Sequence, residues 1–275
     1  MAKEHHQPIA LNLIPRTGDE LLGLPVALQA LEQSGWKVVH LLVDSGANKK
    51  LRDHAEEQAQ QASLIMDSFM LQLQHPIRLP SSRLEQPAAQ PSSSDEVQEM
   101  VSQSLEAINP ALVISTGPQD DHPAGQELGW AVMQAIEAHA RKHQLAPSWW
   151  IWSCGTGGVH ANSAWGYDSE EMDRLQAAAA VYRGLPDLPE TIQTLARLRR
   201  LTCDELDLGD FQYAERWLDV HLCDDLSWRP GPLSLLDLDN PLPEDHLGDN
   251  MRNWLQAQPE QAAHYKPIIP AEKAV

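Results

Sequence analysis

The stretch IALNLIPRTGDELLGLPVALQALEQSGWKVVHLLV, residues 9–43, has the pattern of a strand, a helix and a second strand. Its first six residues form an apolar run of strand length, and leucines then recur at helical spacing from Leu21 to Leu31. Gly35 predicts the end of the helix, and residues 36–43 predict a fully buried second strand. A crossover of this length joins parallel strands, so the stretch predicts a βαβ unit.

The same alternation continues beyond this opening unit. Helices are predicted over 51–69, 97–108 and 126–143, and strands over 75–79, 111–116 and 148–153. Alternating units of this kind predict an α/β fold of the Rossmann-like type, with a mostly parallel sheet and helices on both faces. After residue 170 the pattern weakens, and helices are predicted over 188–201 and 212–222.

We predict one α/β domain over residues 1–228. Residues 80–94 are rich in Ser and Pro, but the alternation resumes directly after them, so they predict a loop within the domain. Residues 229–275 carry many prolines and little periodicity. We expect this last segment to be an arm that packs on the domain or on a partner.

The charge of the chain argues against two classes of partner. The 39 acidic residues outnumber the 20 lysines and arginines, which gives a formal net charge of -19. A surface of this sign repels nucleic acids and anionic membranes. No apolar run reaches the roughly 18 residues of a membrane span, and the first residues lack the layout of a secretory signal. We therefore expect a cytoplasmic protein.

Two loops are the natural places for a site. Residues 15–20 follow the first predicted strand, and residues 117–125 follow the strand predicted over 111–116. Both loops concentrate Asp, His, Gly or Pro. In open α/β sheets, ligands bind beyond the carboxyl ends of the strands, so the two loops are expected to meet at one pocket.

The motifs in these loops resemble those of a known family. The first loop reads Arg16-Thr-Gly-Asp-Glu20, and the second reads Asp120-Asp-His-Pro-Ala-Gly125. They are similar to the His-Pro-Asp-Asp-Glu and Asp-x-His-Pro-Asp-His motifs of the PIG-L (LmbE-like) zinc-dependent N-deacetylases. The resemblance spans residues 9 to about 150, and residues 35–46 resemble the second strand of that family and the Thr-Asp-Gly that closes it.

The resemblance implies a zinc site that this chain has largely lost. In the family, two His and one Asp hold zinc, and a water on the metal attacks an amide carbonyl. Asp19 matches the Asp ligand, and His122 matches the His that assists the tetrahedral intermediate. The other positions differ: Arg16 and Gly125 replace the His ligands, Gly18 replaces the catalytic base, and Ala124 replaces an Asp. An arginine stays protonated and cannot ligate a metal, so no cofactor is expected.

The candidate residues follow from this comparison. His122 and Asp120 are the candidate catalytic residues, and Asp19 is a metal ligand only if a metal is bound. The other candidates for the pocket are Arg16, Gly18, Glu20, Asp121, Gly125 and His160. Alternatives stay open, since Asp19-Glu20 is also typical of a helix amino terminus and Asp120-Asp121 of a helix cap. Carboxylates without a cation repel one another, so we predict that Arg16 pairs with Asp19 or Glu20 or contacts an anionic ligand, the alternative being an Arg16 that points to solvent.

Three functions remain open at this point. The first is a PIG-L-like protein that has lost N-deacetylase activity and binds a small polar or anionic molecule or a protein partner, including a second copy of itself. The second is an active hydrolase of C–N amide bonds in an N-acyl amino sugar or related substrate, with zinc regained through Asp19, Asp120, His122 and His160. The third is a structural role in an assembly, suggested by the arm and by nine Trp.

Overall fold

The computed structural model describes residues 7–44, 49–66, 70–72, 79, 94–153, 161–223 and 226–230. The strands in this part of the chain are β1 (Ile9–Arg16), β2 (Lys37–Asp44), β3 (Met70–Gln72), β4 (Leu112–Thr116), β5 (Ser148–Trp152), β6 (Ser163–Tyr167), β7 (Tyr213–Leu222) and β8 (Trp228–Pro230). The helices are α1 (Pro25–Gln33), α2 (Lys49–Ile65), α3 (Ser94–Ile108), α4 (Pro123–His143), α5 (Ser169–Ala179) and α6 (Leu188–Leu206). A short 3-10 helix covers Asp19–Leu21.

The strands form one mixed, mostly parallel sheet. Its order is β3-β2-β1-β4-β5-β7-β6, and β8 pairs with β7 outside this path. The first five strands of the order are parallel, whereas β7 runs antiparallel to β5, β6 and β8. The expected fold class is confirmed.

Helices cover both faces of the sheet. Alternate residues of the central strands point to opposite sides: Leu11 and Trp149 pack into one cluster with α3 and α4. Ala10 and Trp150 pack into a second cluster with α1 on the other face. Such near-continuous apolar strands are what a sheet buried on both faces requires.

The helix predicted over 212–222 is wrong, because this segment is strand β7. The strand has a half-buried end and a run of buried residues from Trp217 to Val220. It lies between β5 and β6, where its backbone groups find partners on both sides. Tertiary pairing overrides a local pattern that reads equally well as a helix.

Other predicted boundaries shift. Helix α1 begins at Pro25 rather than at Leu21, because the 3-10 helix and a turn come first. Residues 75–78 of the predicted third strand, and most of the loop 80–94, lie outside the described residues. A short strand, β3, lies earlier, at Met70–Gln72. Strand β8 spans the predicted boundary at residue 228, and the arm from residue 231 lies outside the described part.

Neighbouring strands bring the two motif loops together. β1 pairs directly with β4 in parallel, so both strands end at the same edge of the sheet. Helix α4 then packs tightly over the second loop: a Cβ atom on Gly129 would lie 2.1 Å from the backbone carbon of Gly117. Only glycine permits this approach, which fixes the start of α4 beside the end of β1.

Candidate functional site

Arg16 and Asp19 form the centre of the site. Arg16 is the last residue of β1, and Asp19 opens the 3-10 helix that follows. Arg16 Nε donates to Asp19 Oδ2 at 3.0 Å, and Nη2 donates to Oδ1 at 3.1 Å. Asp19 is buried, whereas the Arg16 side chain remains 31% exposed. This two-bond geometry is the strongest form of a carboxylate–guanidinium pair, and it confirms the predicted partner of Arg16.

His122 lies against the same guanidinium. Its Nε2 is 2.7 Å from Arg16 Nη1, and its Nδ1 is 3.1 Å from the backbone nitrogen of Ala124. Loss of solvent and the neighbouring positive charge of Arg16 lower the pKa of His122. A lowered pKa favours the neutral imidazole, which has a single acceptor nitrogen, so the ring accepts a hydrogen bond either from Arg16 or from the Ala124 backbone at any one time.

Asp120 and Asp121 occupy different environments. Asp120 is buried, and its Oδ1 accepts a hydrogen bond from the backbone of His122 at 2.7 Å. Asp121 is exposed. The Asp120 carboxylate thus shapes the turn that presents His122. His160, the remaining predicted site residue, lies outside the described residues.

Other side chains occupy the space that a side chain at Gly18 or at Gly125 would need. Gly18 has φ of 92°, and a Cβ atom there would lie 2.8 Å from Leu185 Cδ1. A Cβ atom on Gly125 would lie 2.7 Å from Asp120 Cγ. A side chain at either position would therefore clash unless Leu185 or Asp120 moved.

Glu20 is directed away from Arg16. Gly18 donates its backbone N–H to Glu20 Oε2 at 2.8 Å, and the Tyr182 hydroxyl donates to Oε1. Burial raises the pKa of Glu20 to about 7 from its ordinary 4.5. Glu20 therefore anchors the first loop to the segment after α5, and the alternative in which it pairs with Arg16 does not occur.

The pKa of Glu20 leads to a testable pH dependence. The folded protein favours the neutral acid, so wild-type stability falls as pH rises from about 4.5 to about 7. Gln cannot ionise. We therefore expect the stability of Glu20→Gln relative to wild type to rise across this window and to level off above it. Urea unfolding from pH 4 to pH 8 measures this difference, and a difference that stays constant would contradict the assignment.

A cavity of about 610 Å³ opens beside Arg16 and Asp19. Its polar lining includes Asp44 from the end of β2 and Asp187 at the start of α6. Its apolar wall is formed by Leu22, Leu185, Pro186 and Leu188. Sequence reasoning missed the residues after position 180, because no pattern along the chain shows that this segment folds over the first loop.

The residues at this site do not fit a catalytic zinc ion. Both carboxylate oxygens of Asp19 accept hydrogen bonds from Arg16, and His122 Nε2 lies at a third nitrogen of the same guanidinium. The family resemblance puts its two His ligands at Arg16 and Gly125, and Gly125 has no side-chain donor atom. The Arg16 guanidinium thus lies against both Asp19 and His122, and a dication beside these two side chains would meet direct charge repulsion.

No protein-family model and no curated protein sequence matches the chain. Solved structures do match. Teicoplanin deacetylase Orf2 in its zinc-inhibited form has 14% identity and a TM-score of 0.57 over 76% of this chain and 97% of that one. The N,N'-diacetylchitobiose deacetylase of Pyrococcus horikoshii has 12% identity and a TM-score of 0.54, covering 78% of this chain and 84% of that one.

A third similar structure has a different activity. GalB of Pseudomonas putida, a 4-carboxy-2-hydroxymuconate hydratase, has 13% identity and a TM-score of 0.58, covering 78% of this chain and 97% of that one. The chain therefore has the fold of LmbE/PIG-L-type deacetylases, as its two loop motifs predicted. Because the same fold supports a hydratase, the fold alone does not define the reaction.

The helices are those of a packed α/β layer. None in the described part of the chain combines the length and the apolar character that a bilayer crossing requires.

Proposed function

We propose that this protein binds a small polar molecule in the cavity beside Arg16 and does not hydrolyse amides with zinc. The observation that carries the proposal is the two-bond Arg16–Asp19 pair with His122 at 2.7 Å from the same guanidinium. In this arrangement the Arg16 guanidinium provides the positive charge that offsets the Asp19 carboxylate. The cavity next to it stays open to a ligand.

The charges of the cavity favour one class of ligand. Asp19 neutralises Arg16, which leaves Asp44 and Asp187 as acidic groups of the lining. Carboxylates accept hydrogen bonds from hydroxyl groups and attract amines, and they repel anions. The leucines of the opposite wall suit the apolar face of a ring. An amino sugar combines these properties, and deacetylases of the same fold act on molecules such as N,N'-diacetylchitobiose.

Calorimetric titration with three related sugars tests the proposal. We expect glucosamine to bind most tightly, N-acetylglucosamine more weakly and glucuronate least, because only the first carries a positive charge. Gly184 lines the cavity, and a Cβ atom there would meet nothing closer than Gln58 Oε1 at 3.9 Å. Gly184→Trp should therefore fill the cavity without disturbing the fold and weaken binding about tenfold or more, a loss of about 1.4 kcal/mol.

Gly184→Ala is the matched control, because it adds a single methyl group at the same position. It should bind glucosamine as wild type does. Equal affinity in the Trp and Ala variants, or tightest binding of glucuronate, would contradict the proposed site.

A further inference from the structure

A second group of metal-ligand side chains lies near the amino-terminal ends of the strands, opposite to the strand ends that carry the cavity. Glu106 is in the last turn of α3, and His139 and His143 are in the last two turns of α4. Both helices end just before strands β4 and β5 begin, so this end of the sheet is far from the loops that follow those strands. The carbonyl groups at the two helix ends give the region a negative potential that favours a cation.

The three side chains are already close to a coordination geometry. His143 Nε2 lies 2.8 and 2.9 Å from the two Glu106 oxygens, and His139 Nδ1 lies 3.5 Å from Glu106 Oε1. All three ligand atoms lie within 4.8 Å of one another. Tetrahedral zinc with bonds near 2.1 Å separates its ligands by about 3.4 Å, so only small side-chain shifts are needed.

His139 supplies an independent indication of a ligand. The residue is 5% exposed, and its Nδ1 atom is buried without a hydrogen-bond partner in the described part of the chain. The 3.5 Å to Glu106 is too long for a good hydrogen bond. A buried ring nitrogen whose contact with the nearest carboxylate is this long costs free energy, and a metal ion would satisfy it.

The helical spacing suits joint coordination. His139 and His143 are four residues apart, the spacing at which two His on one helix bind a single zinc ion. Their ring centroids are 4.4 Å apart. Two imidazoles and one carboxylate favour zinc over magnesium or calcium, which prefer oxygen ligands only.

Lys142 competes for the same carboxylate. Its Nζ lies 2.8 Å from Glu106 Oε2. The Lys142 side chain is 64% exposed, so it can turn into solvent when a metal ion takes its place. Removal of this ammonium group should therefore strengthen metal binding.

We propose that Glu106, His139 and His143 bind one Zn²⁺ ion, with water in the remaining exposed position. The ion joins the ends of α3 and α4, which pack against each other along the same face of the sheet. Its expected role is to hold these two helices together, and it is separate from the cavity at Arg16.

Zinc titration of the full chain after removal of metal with EDTA tests this site. We expect one equivalent to bind and to raise the melting temperature, and Co²⁺ to give the strong visible absorption of a four-coordinate site. His143→Ala and Glu106→Gln should each weaken binding about tenfold or more. Lys142→Ala should strengthen it.

Two controls separate this site from other acidic or His-containing surfaces. Glu99→Gln makes the same charge change two turns earlier on α3 and should leave zinc affinity unchanged, and Asp19→Asn should also leave it unchanged. Since His143 is exposed at the helix end, the metal-free His143→Ala variant should melt as wild type does. Absence of saturable binding, binding unaffected by His143→Ala and Glu106→Gln, or binding abolished by Asp19→Asn would overturn the proposal.

Discussion

Arg199→Met is expected to lower the free energy of unfolding by about 3–5 kcal/mol, the scale for removing one partner of a buried ion pair. Arg199 Nη1 lies 3.0 Å from Glu215 Oε1, and both side chains are almost fully buried. The loss would leave the Glu215 carboxylate without its counter-charge. Urea unfolding at neutral pH measures the change.

The Arg199–Glu215 pair also holds the turn and the helix start that follow the first loop. Glu215 accepts hydrogen bonds from the backbone of Val26 and Ala27 at the start of α1. Arg199 Nη2 donates to the carbonyl of Gly23 at 2.8 Å. The network therefore joins α6 and β7 to the turn that follows Asp19, and its loss should also loosen the cavity.

A neighbouring arginine provides the matched control for this change. Arg200 is exposed, so Arg200→Met should alter stability by less than about 0.5 kcal/mol. The double variant Arg199→Met/Glu215→Met should be more stable than the sum of the single changes predicts, because it removes both charges together. A loss below about 1 kcal/mol in Arg199→Met would show that the pair is not a structural requirement.

Gly18→Asp, which restores the residue type of the family's base, is expected to destabilise the protein by about 2–4 kcal/mol, from a left-handed backbone and a side-chain clash together. Gly18 has φ of 92°, and its Cβ would lie 2.8 and 3.2 Å from the leucines 185 and 188. The segment that forms the cavity wall thus packs directly over Gly18.

Gly35→Asp isolates the backbone part of this cost. Gly35 has φ of 90°, but a Cβ atom there would meet nothing within 4 Å. Thermal melting of the two variants should therefore show a clearly larger loss for Gly18→Asp. Equal losses of stability in the two variants would mean that Leu185 and Leu188 move aside readily and that position 18 can hold a side chain.

The sequence was sufficient to predict the parts of the fold that depend on local pattern. The apolar run at Ile9 and the leucines after Glu20 predict the βαβ opening, and the structure has it. The segment from Tyr213 could not be assigned in this way, because its place between two strands is decided by pairing with residues far along the chain. The Pro25 start of α1 was missed because a 3-10 helix precedes it.

The site was predictable where charge alone decides the contacts. A lone buried Asp19 needs a cation, and Arg16 three residues earlier provides it. The partner of Glu20 could not be predicted, since Tyr182 is 162 positions away and no local pattern connects the two. The blocked positions at Gly18 and Gly125 likewise depend on packing that only the folded chain shows.

Acetate release in the presence of zinc tests whether the Arg16 guanidinium, rather than a catalytic metal, provides the positive charge beside Asp19. Wild-type protein, supplied with one or more equivalents of Zn²⁺, would be incubated with N-acetylglucosamine and N,N'-diacetylchitobiose beside its Asp19→Asn variant. We expect no release above the protein-free blank for either protein. Zinc-dependent release by the wild type that is lost in Asp19→Asn would contradict this expectation and establish a working hydrolase.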